Sequence, residues 1–192
     1  MKKLTYRGFF IFFILCFQIY QSQATQKYVE LELKNGSEAA QKIMVDKFYY
    51  DPLDNWSPFG NDTGSDTYYL YTDWKKEHPH ESIRMFVNDE LVDLGYPNFD
   101  LNLDGSDPEK LKNVVDSMVN QYLGLNSINN SIISLAFAQL FLEGRIEPEV
   151  KKWAEAAFSR ESAYHDFWDD EGSQGERKAR MEKLQNDLRK AK

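Results

Sequence analysis

Apolar residues recur along most of this chain at spacings of three and four, the period of a helix with one buried face. Ala40, Ile43, Met44 and Phe48 share one stripe of a first helix, which Asn35 or Ser37 can cap. A second helix follows Gly64 and carries Thr67, Leu70, Tyr71 and Trp74 at i, i+3, i+4 and i+7. The third runs from about Pro79 to Leu94, burying Ile83, Phe86, Val87 and Leu91, with Gly95 as its C′ residue. Asp107-Pro108 opens a fourth with proline at N1, and Gly124 ends it after Leu111, Val114, Val115, Met118 and Tyr122. A fifth, from about Asn130 to Glu143, is apolar on most faces and is expected at the centre; a sixth opens at Pro148 with Val150, Trp153, Ala154, Ala157 and Phe158. One segment departs from this period. Tyr28 to Lys34 alternates, with Val29, Leu31 and Leu33 on one side, which predicts a short strand that must pair elsewhere or lie extended against helices.

Beyond Asp169 the polar run Asp169-Asp170-Glu171-Gly172-Ser173-Gln174-Gly175 leads into a charged stretch whose thin apolar stripe is Met181, Leu184 and Leu188. That predicts a solvated or docked terminal helix, with a frayed tail as the default. The expected fold is mainly α: a single domain of about six packed helices with a short N-terminal strand over residues 25–168, and a charged C-terminal tail or helix over 169–192. No internal repeat is visible.

The N-terminus reads as a targeting device. Lys2, Lys3 and Arg7 precede an apolar run from Phe9 to Phe17, and Ser22-Gln23-Ala24 supplies small residues at −3 and −1, so residues 1–24 are expected to be a signal peptide cleaved after Ala24. The run falls well short of the roughly 20 apolar residues that span a bilayer, so no stable membrane insertion is expected after cleavage. Cys16 lies inside this segment behind Leu15, where a lipoprotein site needs a small residue. The expected destination is periplasmic or secreted. Because the chain beyond the leader has no cysteine, a bacterial envelope suits it better than a disulfide-dependent extracellular setting, and the sequon Asn61-Asp62-Thr63 is then coincidental.

With 192 residues, 42% hydrophobic and 15% aromatic, the chain can build a packed core. Its formal charge of −8 becomes −11 when the three basic residues of the leader are removed, a surface that repels phosphate backbones, so nucleic acid is not an expected partner.

The most distinctive segment is Ser57-Pro58-Phe59-Gly60-Asn61-Asp62-Thr63-Gly64-Ser65-Asp66-Thr67, a tight loop before the second helix. Asp62, Ser65 or Asp66 can accept from free N–H groups at the helix start, and the two carboxylates favour capping or cation coordination over anion binding. Aromatic residues crowd around it. Tyr50, Trp56, Tyr68 and Tyr69 fall off the buried stripe or in loops and suit an exposed recognition patch. A candidate binding face therefore comprises Trp56, Phe59, Asn61, Asp62, Asp66, Tyr68 and Tyr69.

A second candidate is Asp100-Leu101-Asn102-Leu103-Asp104-Gly105-Ser106-Asp107-Pro108-Glu109, with the D-x-N-x-D-G opening of a calcium loop. Asp100, Asn102, Asp104 and Glu109 are the candidate ligands and calcium the candidate cofactor. Leu111 stands where an EF-hand has its bidentate glutamate, and the competing reading is a turn in which Asp107 caps the fourth helix. His78-Pro79-His80 with His165 is a weaker transition-metal candidate. Thiol catalysis is excluded beyond the leader, and no G-x-S-x-G, H-E-x-x-H, P-loop or dinucleotide fingerprint is present.

The first loop, followed by Tyr71-Thr72-Asp73-Trp74, resembles the uncharacterised bacterial YfeS-like proteins, whose members share an S-P-F-G-N-D-x-G-x-D loop leading into an aromatic helix. Ala136-Phe137-Ala138-Gln139-Leu140 and Glu143-Gly144-Arg145-Ile146-Glu147-Pro148-Glu149 add to the likeness, which spans roughly residues 40–160. The resemblance implies no established activity and assigns no catalytic residue; the expected export and the lack of a WGR-type domain depart from it. The reading that follows is a noncatalytic protein-binding module with an aromatic and acidic loop face, immunity-like in its charge. The alternative is a calcium-dependent or carboxylate-based hydrolase using Asp62, Asp66 or the Asp100–Glu109 loop.

Overall fold

The computed structural model describes residues 29–164 and 174–192. The expected signal peptide, Tyr28, His165, Asp169 and Asp170 lie outside the described residues. Among the described residues seven α-helices form one domain, the helical class that the three-and-four period predicts: α1 (Glu38–Ile43), α2 (Asp62–Glu77), α3 (Ile83–Asp93), α4 (Pro108–Ser117), α5 (Gln121–Glu143), α6 (Pro148–Ala163) and α7 (Gln174–Lys190), with 3-10 turns at Leu33–Asn35 and Lys47–Tyr50. Among the described residues there is no strand. Residues 29–34 pass through a bend into the first 3-10 turn, and Val29 is exposed, so the alternation there does not mark a sheet.

The helix α5 is the axis. From Leu125 to Phe141 almost every side chain is buried, and α1, α2, α4 and α6 pack around it. It starts nine residues earlier than the apolar run suggests, because the fourth helix stops at Ser117 and the chain turns through Gln121 at φ 44°. Gly124 therefore sits inside α5 and does not end α4: a Cβ there would lie 2.1 Å from the Tyr96 hydroxyl, which occupies the space glycine leaves.

Local signals fix the helix ends. Ser37, Asn61, Ser82 and Asp107 accept from the backbone N–H groups of Ala40, Gly64, Arg84 and Lys110, as N-cap residues do. Proline occupies the first turn of α4 and α6. At the end of α3, Tyr96 N–H donates to Leu91 O (2.7 Å) and Gly95 N–H to Val92 O (2.9 Å), with Gly95 at φ 87°, a Schellman closure. The first helix is shorter than expected: it breaks after Ile43, and Phe48 enters the core from the following 3-10 turn.

The described part of the charged C-terminal segment, residues 174–192, is docked on the domain. Leu184, Leu188 and Ala191 are buried, and Ile146 N–H donates to the Lys192 carbonyl at 3.0 Å. Among the described residues no helix is long and apolar enough to cross a membrane.

Candidate functional site

The first loop is braced by its own backbone. Ser57 is buried, donating its hydroxyl to Tyr49 O (3.2 Å) and accepting from Phe59 N–H (3.3 Å). Asn61 reaches back to Ser57 O (3.3 Å) and accepts from Gly64 N–H (2.8 Å). A Cβ on Gly60 would lie 2.1 Å from the Asp54 carbonyl oxygen, and one on Gly64 would lie 2.1 Å from that of Pro58. These two glycines let separate strands of backbone touch. Ser134 of α5 donates to Gly64 O at 2.6 Å and ties the loop to the central helix.

This bracing redistributes the expected recognition face. Because α2 starts at Asp62, its buried arc runs through Gly64, Thr67, Tyr68, Tyr71 and Thr72. Tyr68, expected on the surface, is fully buried, packs at a tilt against Phe59 (centroids 5.2 Å) and donates to Val29 O at 2.7 Å. Phe59 is buried as well, Asn61 is the cap, and Trp56 is half-buried beneath the Arg177 guanidinium, 4.8 Å from its ring centroid. Leu70, expected in the core, is 52% exposed. Asp62, Asp66 and Tyr69 (41% exposed) do reach the surface, and with Leu70, Glu77 and the Lys76–Asp73 pair they share the outer arc of α2, a mainly acidic face around two large apolar side chains.

In the second loop one carboxylate oxygen each of Asp100, Asp104 and Asp107 is bonded within the loop and the helix start that follows it. Asp100 accepts from Asn102 N–H (3.0 Å) and its amide (3.3 Å), and Asp104 accepts from Ser106 N–H (2.9 Å) and Oγ (2.5 Å). The Ser106 hydroxyl and backbone bonds hold the Asp104 carboxyl below the usual range. Asp107 caps Lys110, and Glu109 is exposed on the first turn of α4. Among the described residues, no three His, Cys, Asp or Glu side chains are grouped to hold a metal ion. His80 is exposed, and His78 stacks on Trp74 (centroids 5.3 Å) at the end of α2.

What the loop does hold is a protein cation. Arg160, fully buried, donates from Nη1 to the carbonyls of Leu103 (2.5 Å) and Leu101 (3.4 Å) and from Nε to Asn129 Oδ1 (2.7 Å), with its guanidinium 5.2 Å from the Phe99 ring centroid. Burial lowers its pKa to about 10, which leaves it charged at neutral pH. Asn129 in turn donates to Glu161 (2.7 Å), Glu161 pairs with Arg177, and Arg177 lies over Trp56. A buried polar chain thus joins the two segments that stood out in the sequence. The sequence does not single out its members by motif, because α6 reads as an amphipathic helix; their signal is one of register, since Arg160 and Glu161 continue the stripe of Trp153, Ala154 and Ala157 into the core.

A second buried cluster links α2, α3 and α5. Thr67 and Ser131 both donate to Glu90 Oε2 at 3.2 Å. Burial pushes the Glu90 carboxyl up, against those two hydroxyl bonds, and the charges of Asp93 and Asp66 push it further. A raised carboxyl stabilises the fold only while it is protonated: that contribution is fully present below the ordinary value of 4.5 and is lost as pH rises through the higher folded value. Glu90→Gln is therefore expected to melt above the parent at neutral pH, with the difference closing as pH falls towards 4.5. Thermal melts across that range check it, and a pH-independent difference would refute it.

The clefts beside the second loop do not reach the first. One of about 220 Å³ is lined by Arg84, Asn88, Phe99, Asp100, Asn102 and Trp153, and another, on the outside of α4, by Asp107, Glu109 and Lys110; neither includes a residue of 57–67. The Asp100 loop is linked instead through Arg160, Asn129, Glu161 and Arg177 to Trp56, just ahead of the first loop, and the last link is a guanidinium over an indole ring. In comparison with protein-family models, curated proteins and solved structures, the chain matches none.

Proposed function

We propose that this is an exported bacterial protein, periplasmic or secreted after cleavage behind Ala24, whose role is noncatalytic binding of a cationic protein partner through the outer face of α2. The observation that carries this reading is the solvent arc of that helix: Asp62, Asp66 and Glu77 flank Tyr69 and Leu70, so carboxylates surround a small apolar centre. An interface of this composition takes its affinity from the buried aromatic and aliphatic anchors and its rate and specificity from the charges. The net negative charge of the chain favours approach of a basic partner and is the character of an immunity-like neutraliser. Catalysis has weaker support, because Asp62 and Asp66 lie on a convex helix face and share neither cleft with the Asp100 loop.

The test is capture of basic proteins from bacterial envelope extract by the immobilised protein, compared with a variant carrying Asp62→Lys, Asp66→Lys, Tyr69→Ala and Leu70→Ala. Asp66, Tyr69 and Leu70 are exposed, so those substitutions are expected to change stability by about 0.5 kcal/mol or less, and Asp62→Lys, which reverses a carboxylate in the first turn of α2, by about 1 kcal/mol, while partner capture is lost. Undiminished capture of the same protein by the variant would remove this face from consideration.

A further inference from the structure

The way α7 is held points to a second binding surface, already occupied by the chain's own C-terminus. Its apolar anchors are few, and cations make much of the contact. Arg177 pairs with Glu161 and covers Trp56, and Arg180 pairs with Asp54 at 3.2 Å while its guanidinium lies 4.6 Å from the Phe48 ring centroid. Lys183 sits 2.6 Å from Asp46 and 5.6 Å from the Tyr49 ring centroid. These three cations fall at i, i+3 and i+6 along α7, and beyond them Leu184, Leu188 and Ala191 are buried. The receiving surface is the aromatic segment Phe48, Tyr49 and Trp56, edged by Asp46, Asp54 and Glu161. At the far end Tyr49 donates its hydroxyl to Asp187 at 2.6 Å, and Lys183 and Lys190 also reach that carboxylate.

We propose that this surface is a groove for a basic amphipathic helix, held in cis by α7, and that a partner bearing a helix with the same spacing of cations over leucines displaces it. Charge complementarity and ring-facing cations argue for that occupant: an acidic, aromatic groove recognises Arg and Lys over ring faces with aliphatic anchors alongside, the helix-in-groove mode of peptide recognition. The groove lies apart from the outer face of α2, so this proposal and the proposed function stand or fall separately. It also implies that α7 opens without the rest of the domain, because partly exposed ion pairs such as Lys183–Asp46 and Arg180–Asp54 are screened by salt whereas the burial around α5 is not.

Native-state hydrogen exchange on the unmodified protein tests this directly. Raising NaCl from about 50 to 500 mM is expected to speed exchange of α7 amides at least about tenfold while leaving α5 amides unchanged. The second arm uses a protein with Arg177→Glu, Arg180→Glu and Lys183→Glu, whose own α7 is repelled, and a labelled peptide of residues 174–192 of unaltered sequence. The peptide is expected to bind this variant, to bind the parent at least about tenfold more weakly because the cis helix competes, and to lose binding when it carries the same three reversals. Exchange of α7 and α5 at one common rate at both salt concentrations would overturn the proposal, showing α7 to be a permanent layer of the core. A folded variant that leaves the unaltered peptide free in solution would overturn it as well.

Discussion

Replacing Arg160 with methionine is expected to cost about 3–5 kcal/mol, a large part of the 5–15 kcal/mol by which a domain is stable. Methionine fills a comparable space but donates nothing. The carbonyls of Leu101 and Leu103 and the Asn129 side-chain oxygen would lose their donor at a site where Arg160 is fully buried. A buried acceptor left unpaired costs about 1–3 kcal/mol, so three of them account for the range. Arg160→Lys is expected to recover only part of the loss, because an ammonium is a point donor and cannot reproduce the planar fork that spans Asn129 and the loop carbonyls. Urea denaturation followed by circular dichroism measures it, and a loss below about 1 kcal/mol would mean that water or a rearranged loop satisfies those oxygens. Asn129→Ala should be strongly non-additive with Arg160→Met, since both act on one network.

The second large effect runs against helix propensity. Gly64 lies inside α2, where alanine normally stabilises a helix by up to about 1 kcal/mol. Here Gly64→Ala is expected to destabilise by about 3 kcal/mol, because the new Cβ would sit 2.1 Å from the Pro58 carbonyl oxygen and 3.2 Å from the Asn61 amide nitrogen that helps close the loop. Backbone, unlike the end of a flexible side chain, cannot turn aside. Gly175→Ala is the control: nothing lies within 4 Å of its Cβ position, so α7 should gain stability slightly. Thermal melts of the two variants in parallel check the pair, and a Gly64→Ala protein as stable as its parent would show that the loop yields. The same close approaches give a physical reason for the S-P-F-G-N-D-x-G pattern: Ser57, Gly60, Asn61 and Gly64 each serve the folding of the loop, whereas Asp62 and Asp66 stay exposed at its end.

Much of the helical layout was legible because its causes are local. The three-and-four spacing of apolar residues, Ser37, Asn61, Ser82 and Asp107 at helix starts, Pro108 and Pro148 in first turns and Gly95 at a Schellman end all act within a few residues of where they stand. The uniformly apolar run after Asn130 marked the central helix for the same reason: only burial on every side makes such a run stable. The sequence by itself therefore determined the helical class, the order of the helices and the identity of the axis. It also drew attention to both loops.

How those loops are built was decided by tertiary contacts. Tyr68 and Leu70 exchange core and surface because the start of α2, set by Asn61 and the Pro58–Gly64 approach, rotates the helix relative to its apolar count. The Asp100 loop reads as a cation loop, and its inward backbone carbonyls hold Arg160, 57 residues further along the chain from Leu103. The alternation after Tyr28 made no strand among the described residues, since a strand exists only through a neighbour to pair with. The charged C-terminus docks because Asp46, Asp54, Glu161 and three aromatic rings, scattered over more than a hundred positions, converge beneath it. Each of these outcomes depends on groups far apart in sequence whose burial and pairing energies exist only once the chain has closed, whereas caps and periodicity are present in every turn as it forms.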